Sequence, residues 1–239
     1  MAPSLNVLAQ AAVETLRISL PTIVDAARGT LTREVCDARL DSWSRNLIRQ
    51  ADISIETAGR ENLVPGETFV VMSNHQSHYD IPTLFQSLRI PLRMVAKKEL
   101  FRIPLMAGAM RASGFVEVDR NNGASAIKTL STATTQLEDA VSIWIAPEGT
   151  RSKTGRVGPF KKGGFYLALR SGMRILPVSI DGTRFALPAG ALTVVRGATA
   201  HVTIGAPIDS STYGKARITE LVAAVREAIE RPLPAELRR

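Results

Sequence analysis

A histidine followed five residues later by an aspartate is the pattern in this 239-residue chain best suited to chemistry: His75 and Asp80 in Asn74-His75-Gln76-Ser77-His78-Tyr79-Asp80. An imidazole titrates near about 6.5 when unperturbed, so its neutral form accepts a proton at physiological pH. A carboxylate that takes the other ring N–H fixes the tautomer and stabilises the imidazolium as it forms. Five residues of separation across a turn can bring the two groups together. The chain has no Gly-x-Ser-x-Gly elbow to supply a nucleophile, so the pair suits direct activation of a substrate hydroxyl. Asp80 can also cap the helix that Ile81-Pro82 begins, which is compatible with the pairing. The competing arrangement is a divalent-metal site built from His75, His78 and Asp80, as in metal-dependent hydrolases. Against it, the remaining histidine, His201, has no acidic cluster around it.

Two arginines, Arg120 and Arg151, each follow a strand-like run and precede small or polar residues. A phosphomonoester carries close to two negative charges, and an arginine fork satisfies its oxygens bidentately. Glu148-Gly149-Thr150 reads as a tight turn in which Gly149 lets the backbone approach a ligand and Thr150 offers a hydroxyl. Beside a phosphate, the carboxylate of Glu148 makes sense as an orienter of arginine. Lys97 and Lys98 follow a strand, and Lys161 and Lys162 precede a helix. Each can face phosphate, a lipid headgroup, an acidic carrier or plain solvent. Pro177 shapes a strand edge rather than doing chemistry.

These groups need elements to hold them. The first fifty residues read as helical: Leu5, Leu8, Ala12 and Leu16 repeat at helical spacing, and Pro21 breaks the run. A second stretch puts Trp43, Leu47, Ile48 and Ala51 on one face, with Arg33, Arg39, Arg45 and Arg49 on or beside it. That combination suits either an interfacial amphipathic helix with Trp43 at the boundary, or a helix pair packed on its own domain. From residue 53, strands alternate with helices. Strands are expected at 53–57, 69–72, 92–96, 115–118, 141–145 and 175–180, and a hairpin at 194–195 and 202–204. Helices are expected at 127–137, at 163–170 ending on Gly172, and at 218–229. This predicts an α/β fold, a mixed, largely parallel sheet flanked by helices, over residues 51–239, with a helical membrane-associating segment over residues 1–50.

Composition narrows the partners. Thirty Lys and Arg against twenty-two Asp and Glu leave a formal charge of +8, which favours an anionic membrane surface or a phosphorylated substrate. Aromatic content of 5% argues against nucleic-acid recognition by base stacking. Cys36 is the single cysteine, which excludes an internal disulfide and a cysteine-rich zinc site; it reads as a small packing residue. Met1-Ala2-Pro3-Ser4 lacks the basic start of a signal peptide. Glu14, Arg17 and Asp25 interrupt every long apolar run, so membrane contact is expected to be peripheral.

Four segments in order resemble the blocks of the glycerophospholipid acyltransferase superfamily. Asn74-His75 with Asp80 resembles its His-x4-Asp block, and Gly114-Phe115-Val116-Glu117-Val118-Asp119-Arg120 its second, arginine-ending block. Pro147-Glu148-Gly149-Thr150-Arg151-Ser152 is similar to the third, and Ile175-Leu176-Pro177-Val178 to the fourth. Segments 95–100 and 160–163 also fit, so the likeness spans about residues 53–210. Ala146 stands where an aromatic is common, and Glu117 where an apolar residue is. Within the superfamily the chain looks most like the bacterial 1-acyl-glycerol-3-phosphate acyltransferases.

The resemblance implies a glycerol-phosphate-acyltransferase-like fold and O-acyl transfer from acyl-CoA or acyl-carrier protein to lysophosphatidate, at the cytoplasmic face of a bacterial cell membrane. His75 and Asp80 would be catalytic; Arg120, Glu148, Gly149, Thr150 and Arg151 would form the acceptor site; Asn74, Lys97, Lys161 and Pro177 would support them. No metal or cofactor is expected. An ornithine lyso-lipid or a lysophospholipid is the alternative acceptor.

Overall fold

The computed structural model describes residues 3–119 and 141–239. Arg120 and the helix expected over 127–137 lie outside the described residues.

Two helices lead the chain, as expected: α1 (Leu5–Ala27) and α2 (Arg33–Gln50). Pro21 does not end the first. It sits inside α1, where a proline costs about 3 kcal/mol through its missing N–H and its clash with the preceding turn. Contacts on both sides of it hold the helix in one piece. Before it, Asn46 of α2 donates to Glu14 (2.7 Å) and the Trp43 indole to Thr15 (3.1 Å). After it, Arg39 pairs with Asp25 and donates to Thr22.

Of the two readings of α2, the packing supports the helix pair set on its own domain. Cys36, Leu40, Ser44 and Leu47 are buried, and the Trp43 ring meets Phe85 edge-on at 6.3 Å instead of facing a membrane. Arg39 and Arg45 are engaged by Asp25 and Asp41. The open apolar face belongs to α1, where Val13, Leu16, Leu20 and Val24 are exposed at helical spacing. By length and composition this helix could cross a membrane, and only 22% of its apolar window is buried. Glu14 and Arg17, which interrupt it in the sequence, neutralise each other at 2.6 Å.

Among the described residues there are nine strands, all but the first of them expected: β1 (Pro3–Ser4), β2 (Ser54–Ala58), β3 (Phe69–Ser73), β4 (Leu92–Lys97), β5 (Val116–Val118), β6 (Ser142–Ile145), β7 (Arg174–Asp181), β8 (Val194–Val195) and β9 (Thr199–Ile204). Seven form one sheet in the order β2-β9-β7-β3-β6-β4-β5, parallel at every pairing except β7 with β9. The fold is therefore the expected mixed, largely parallel α/β sheet. The hairpin is corrected: β8 pairs with β1, while β9 inserts between β2 and β7. Its apolar alternation, with Ala200, Val202 and Ile204 buried, is satisfied by two strand neighbours and needs no hairpin partner.

Among the described residues the remaining α-helices are α3 (Asp80–Leu88), α4 (Met106–Ala112), α5 (Gly163–Ser171), α6 (Thr183–Ala186) and α7 (Ile218–Glu230). Alternation along β3 divides the core. Val70 and Met72 face a layer with Phe165, Leu167, Leu221 and Val225 of α5 and α7. Phe69 and Val71 face Leu84 and Leu88 of α3 and Leu40 of α2. The sheet is thus covered on both sides, as a largely parallel sheet must be. Because β3, β4, β5, β6 and β7 are mutually parallel, their carboxyl ends emerge at one edge, where α/β folds gather reacting groups.

Candidate active site

The site is assembled by register. Met72 of β3 lies opposite Ile145 of β6, so three residues further on His75 stands beside Glu148. The backbone N–H of His75 donates to Glu148 Oε1 at 2.8 Å. The β3–β7 pairing, with Ser73 opposite Val178, carries on in the same way. The Asn74 amide imitates a strand there, donating to the Ile180 carbonyl (2.7 Å) and accepting its N–H (2.8 Å). Asn74 therefore locks the block to β7 and uses up both ends of its amide in doing so.

His75 and Asp80 meet as their spacing predicts: Nδ1 lies 2.7 Å from Asp80 Oδ2. Asp80 is the first residue of α3, not its cap. Its carboxylate turns back on the preceding turn, where Oδ2 also accepts the N–H groups of Gln76 (2.7 Å) and Ser77 (3.0 Å). Oδ1 accepts the hydroxyl of Thr183. A fully buried carboxylate is thereby given four donors, which offset the cost of removing it from water. With Nδ1 turned to Asp80, the other ring nitrogen, Nε2, makes no hydrogen bond among the described residues, and the side chain keeps 10% of its surface open. Trp144 meets the ring edge-on at 5.4 Å and is itself tied to Ser73 by a 2.9 Å bond.

Glu148 departs from its expected role. Its two oxygens accept the backbone N–H groups of His75 and Gly158, each at 2.8 Å, so it joins two loops rather than orienting an arginine. Burial pushes its carboxyl up, opposed by those two donors. Gly149 has φ +72, and a Cβ there would come within 3.1 Å of the Lys161 Nζ. Lys161 therefore lies over the turn, with its own N–H on the Pro147 carbonyl (2.8 Å). Ser152 donates its N–H to the His75 carbonyl at 2.7 Å, which holds Arg151 close to the block.

Arg151 and Lys97 carry no hydrogen bond or ion pair among the described residues, whereas Lys98 pairs with Asp119. Both free cations act on His78. Crowding by the surrounding protein pushes that ring down to about 4, and the charges of Arg151, His75 and Lys97 act in the same direction against Asp80. The outer surface of His78 is open to water, which softens the desolvation, but the direction leaves the ring neutral at pH 7. Cationic neighbours also make it a poor metal ligand, and among the described residues no three His, Cys, Asp or Glu groups are placed to hold an ion. Thr150 is exposed. Pro177 lies opposite Met72 in β7 where β9 has already ended, so its missing N–H breaks no pairing. Its carbonyl accepts from Gly205 at 2.8 Å.

Thr183, Trp144 and Gly158 were not singled out from the sequence. Thr183 is 103 residues from Asp80, and no local spacing could have signalled it.

A family model described as Acyltransferase matches residues 54–181. The chain is 34% identical over 169 residues to the 1-acyl-sn-glycerol-3-phosphate acyltransferase of Escherichia coli strain K12, covering 70% of this chain and 67% of that one. It is 37% identical over 158 residues to a chloroplastic 1-acyl-sn-glycerol-3-phosphate acyltransferase of Arabidopsis thaliana, covering 66% of this chain but 44% of the plant protein. The chain thus spans less than half the length of that plant relative. The crystal structure of the 1-acyl-sn-glycerophosphate acyltransferase of Thermotoga maritima superposes with a TM-score of 0.71 at 26% identity, covering 93% of this chain and 95% of that one. A His-Asp pair at the carboxyl edge of a mixed sheet, a family match over most of that sheet and a shared fold lead to one assignment: the chain belongs to the acyltransferase family.

Proposed function

We propose that the protein transfers a fatty acyl group from an acyl thioester, on coenzyme A or acyl-carrier protein, to the free hydroxyl of 1-acyl-glycerol-3-phosphate, giving phosphatidate. The observation that carries this reading is the buried His75–Asp80 pair, whose Nδ1 is committed to the carboxylate while Nε2 makes no hydrogen bond among the described residues. Nε2 takes the proton as the acceptor oxygen attacks the thioester carbonyl. Asp80 stabilises the imidazolium, the C–S bond breaks, and the proton passes to the departing thiolate. Each turnover then yields one ester and one thiol, and no covalent acyl-enzyme is needed.

The acceptor's phosphate is matched by Arg151 and Lys97, whose charges remain unpaired among the described residues on the same rim. Arg120, the residue after Asp119 at the end of β5, completes the proposed acceptor set together with Gly149, Thr150 and Lys161. The exposed face of α1 supports membrane association, with the carboxyl edge of the sheet meeting lipid acceptors at the cytoplasmic surface. The names of the relatives point to the same acceptor.

The test is release of free thiol from acyl-CoA or acyl-carrier protein by the purified chain with a panel of lyso-acceptors. Acceptor-dependent release with lysophosphatidate, absent in His75→Ala, is the expected result. Thiol release that does not depend on an acceptor hydroxyl would overturn it, and equal turnover with a phosphate-free acceptor would remove the phosphate role of the cations.

A further inference from the structure

The loop after β7 reaches the His-Asp block at three points, and one of them touches the catalytic carboxylate. Thr183, fully buried, donates its hydroxyl to Asp80 Oδ1. Arg184, paired with Asp181, also donates to Gln76 Oε1 at 3.3 Å. The Ser77 hydroxyl donates to the Leu187 carbonyl at 2.8 Å. Gly182 aims this loop: its φ is +95, and a Cβ there would stand 1.9 Å from the Thr199 carbonyl oxygen. No side chain fits, so the turn into α6 is fixed against β9.

The terminal torsion of an aspartate is soft and roughly two-fold. Oδ2 already carries the imidazole and two backbone donors, but those bonds alone leave Oδ1 facing the interior without a donor. In that case the carboxylate could rotate and trade the oxygen presented to His75. A hydroxyl on Oδ1 removes that freedom and keeps the buried carboxylate satisfied.

We infer that Thr183 is a positioning residue for acyl transfer, holding Asp80 in the one rotation that presents Oδ2 to His75 Nδ1. This rests on the proposed roles of His75 and Asp80. It gives the segment just beyond the fourth family-like block a part in the reaction, through a carboxylate it reaches from the far side.

The experiment is a donor series at one position in the full chain: wild type, Thr183→Ser, Thr183→Cys and Thr183→Val, assayed for thiol release from acyl-CoA with lysophosphatidate. Thr183→Val should lower kcat about ten- to a hundred-fold, the loss expected for one hydrogen bond to a buried charge or a small misplacement of the base. The KM for lysophosphatidate should stay within about two-fold. Serine should restore most of the rate, and the weakly donating thiol should fall between. The downfield proton resonance of His75 Nδ1 should shift in the valine variant and return with serine. Melting curves identify variants that do not fold; if valine is one of them, serine and cysteine still rank by donor strength. Turnover that ignores the donor, together with an unmoved His75 resonance, overturns the inference. Absence of acyl transfer in the wild type would instead overturn the proposed function, and the resonance alone would then test Thr183.

Discussion

Asp80 and Arg151 sit at the same edge of the same sheet and are treated oppositely. The carboxylate is fully buried and surrounded by four donors drawn from two segments, the turn 75–77 and Thr183. The guanidinium is half-buried with no hydrogen bond or ion pair among the described residues, and Lys97 is likewise free. One region is complete before any substrate arrives, while the other keeps unpaired charge at its rim. Under the proposed function the difference separates catalysis from recognition: a pre-formed base costs nothing to organise at the moment of reaction, and a cation held without a partner is available to an anion.

On that division, damage to the two regions has different kinetic signatures. The largest effect is expected at the base. His75→Ala should lower kcat by about 10²–10⁴-fold, the usual share of general base catalysis, with an unchanged melting curve. Asp80→Asn should come close to it, because the amide presents an N–H where the donors of Gln76, Ser77 and Thr183 need acceptors. Substantial turnover in the His75 variant, measured by thiol release, would break the assignment of the buried region to catalysis.

Arg151→Ala comes next and should act on the other side of the comparison. Losing a charge-assisted contact to phosphate should raise the KM for lysophosphatidate about ten-fold or more while leaving kcat within a few-fold. The loss should shrink as salt rises, since a half-buried charge at the rim is still partly screened. A fall in kcat at constant KM would place Arg151 in the chemistry instead of the rim.

The sheet and the pair were legible in the sequence because both are local. Val70-Val71 between turn signals marks a buried strand, and His75 and Asp80 stand five residues apart at its end. Pro21 misled because proline rules describe an isolated helix, whereas α1 is held from both sides by Asn46, Trp43 and Arg39. The hairpin misled because Val202 could not reveal that its partners are Thr57 and Ile180. Trp43 fitted a membrane boundary and a packed helix pair equally, because an apolar face reads the same whether lipid or Phe85 covers it. Thr183 and the backbone role of Glu148 were invisible for the same reason: both follow from register between distant strands.

A smaller effect sharpens the comparison at Glu148, which is buried like Asp80 yet receives only two backbone donors. Burial raises its carboxyl above the ordinary value of 4.5, so the folded chain keeps that proton at a pH where the unfolded chain has released it. Stability then falls as pH rises through the window from 4.5 up to the raised value. Glu148→Gln removes this titration but puts an amide N–H against the donor of His75 or Gly158, so it should melt lower than wild type. The gap should be widest in acid, where the wild-type carboxyl is protonated, and narrow as pH climbs through the window and only the wild type loses stability. Paired melting curves across pH 4 to 8 read the trend. A gap that stays constant would mean that the two backbone donors fully offset the burial, and that Glu148 is as completely satisfied as Asp80.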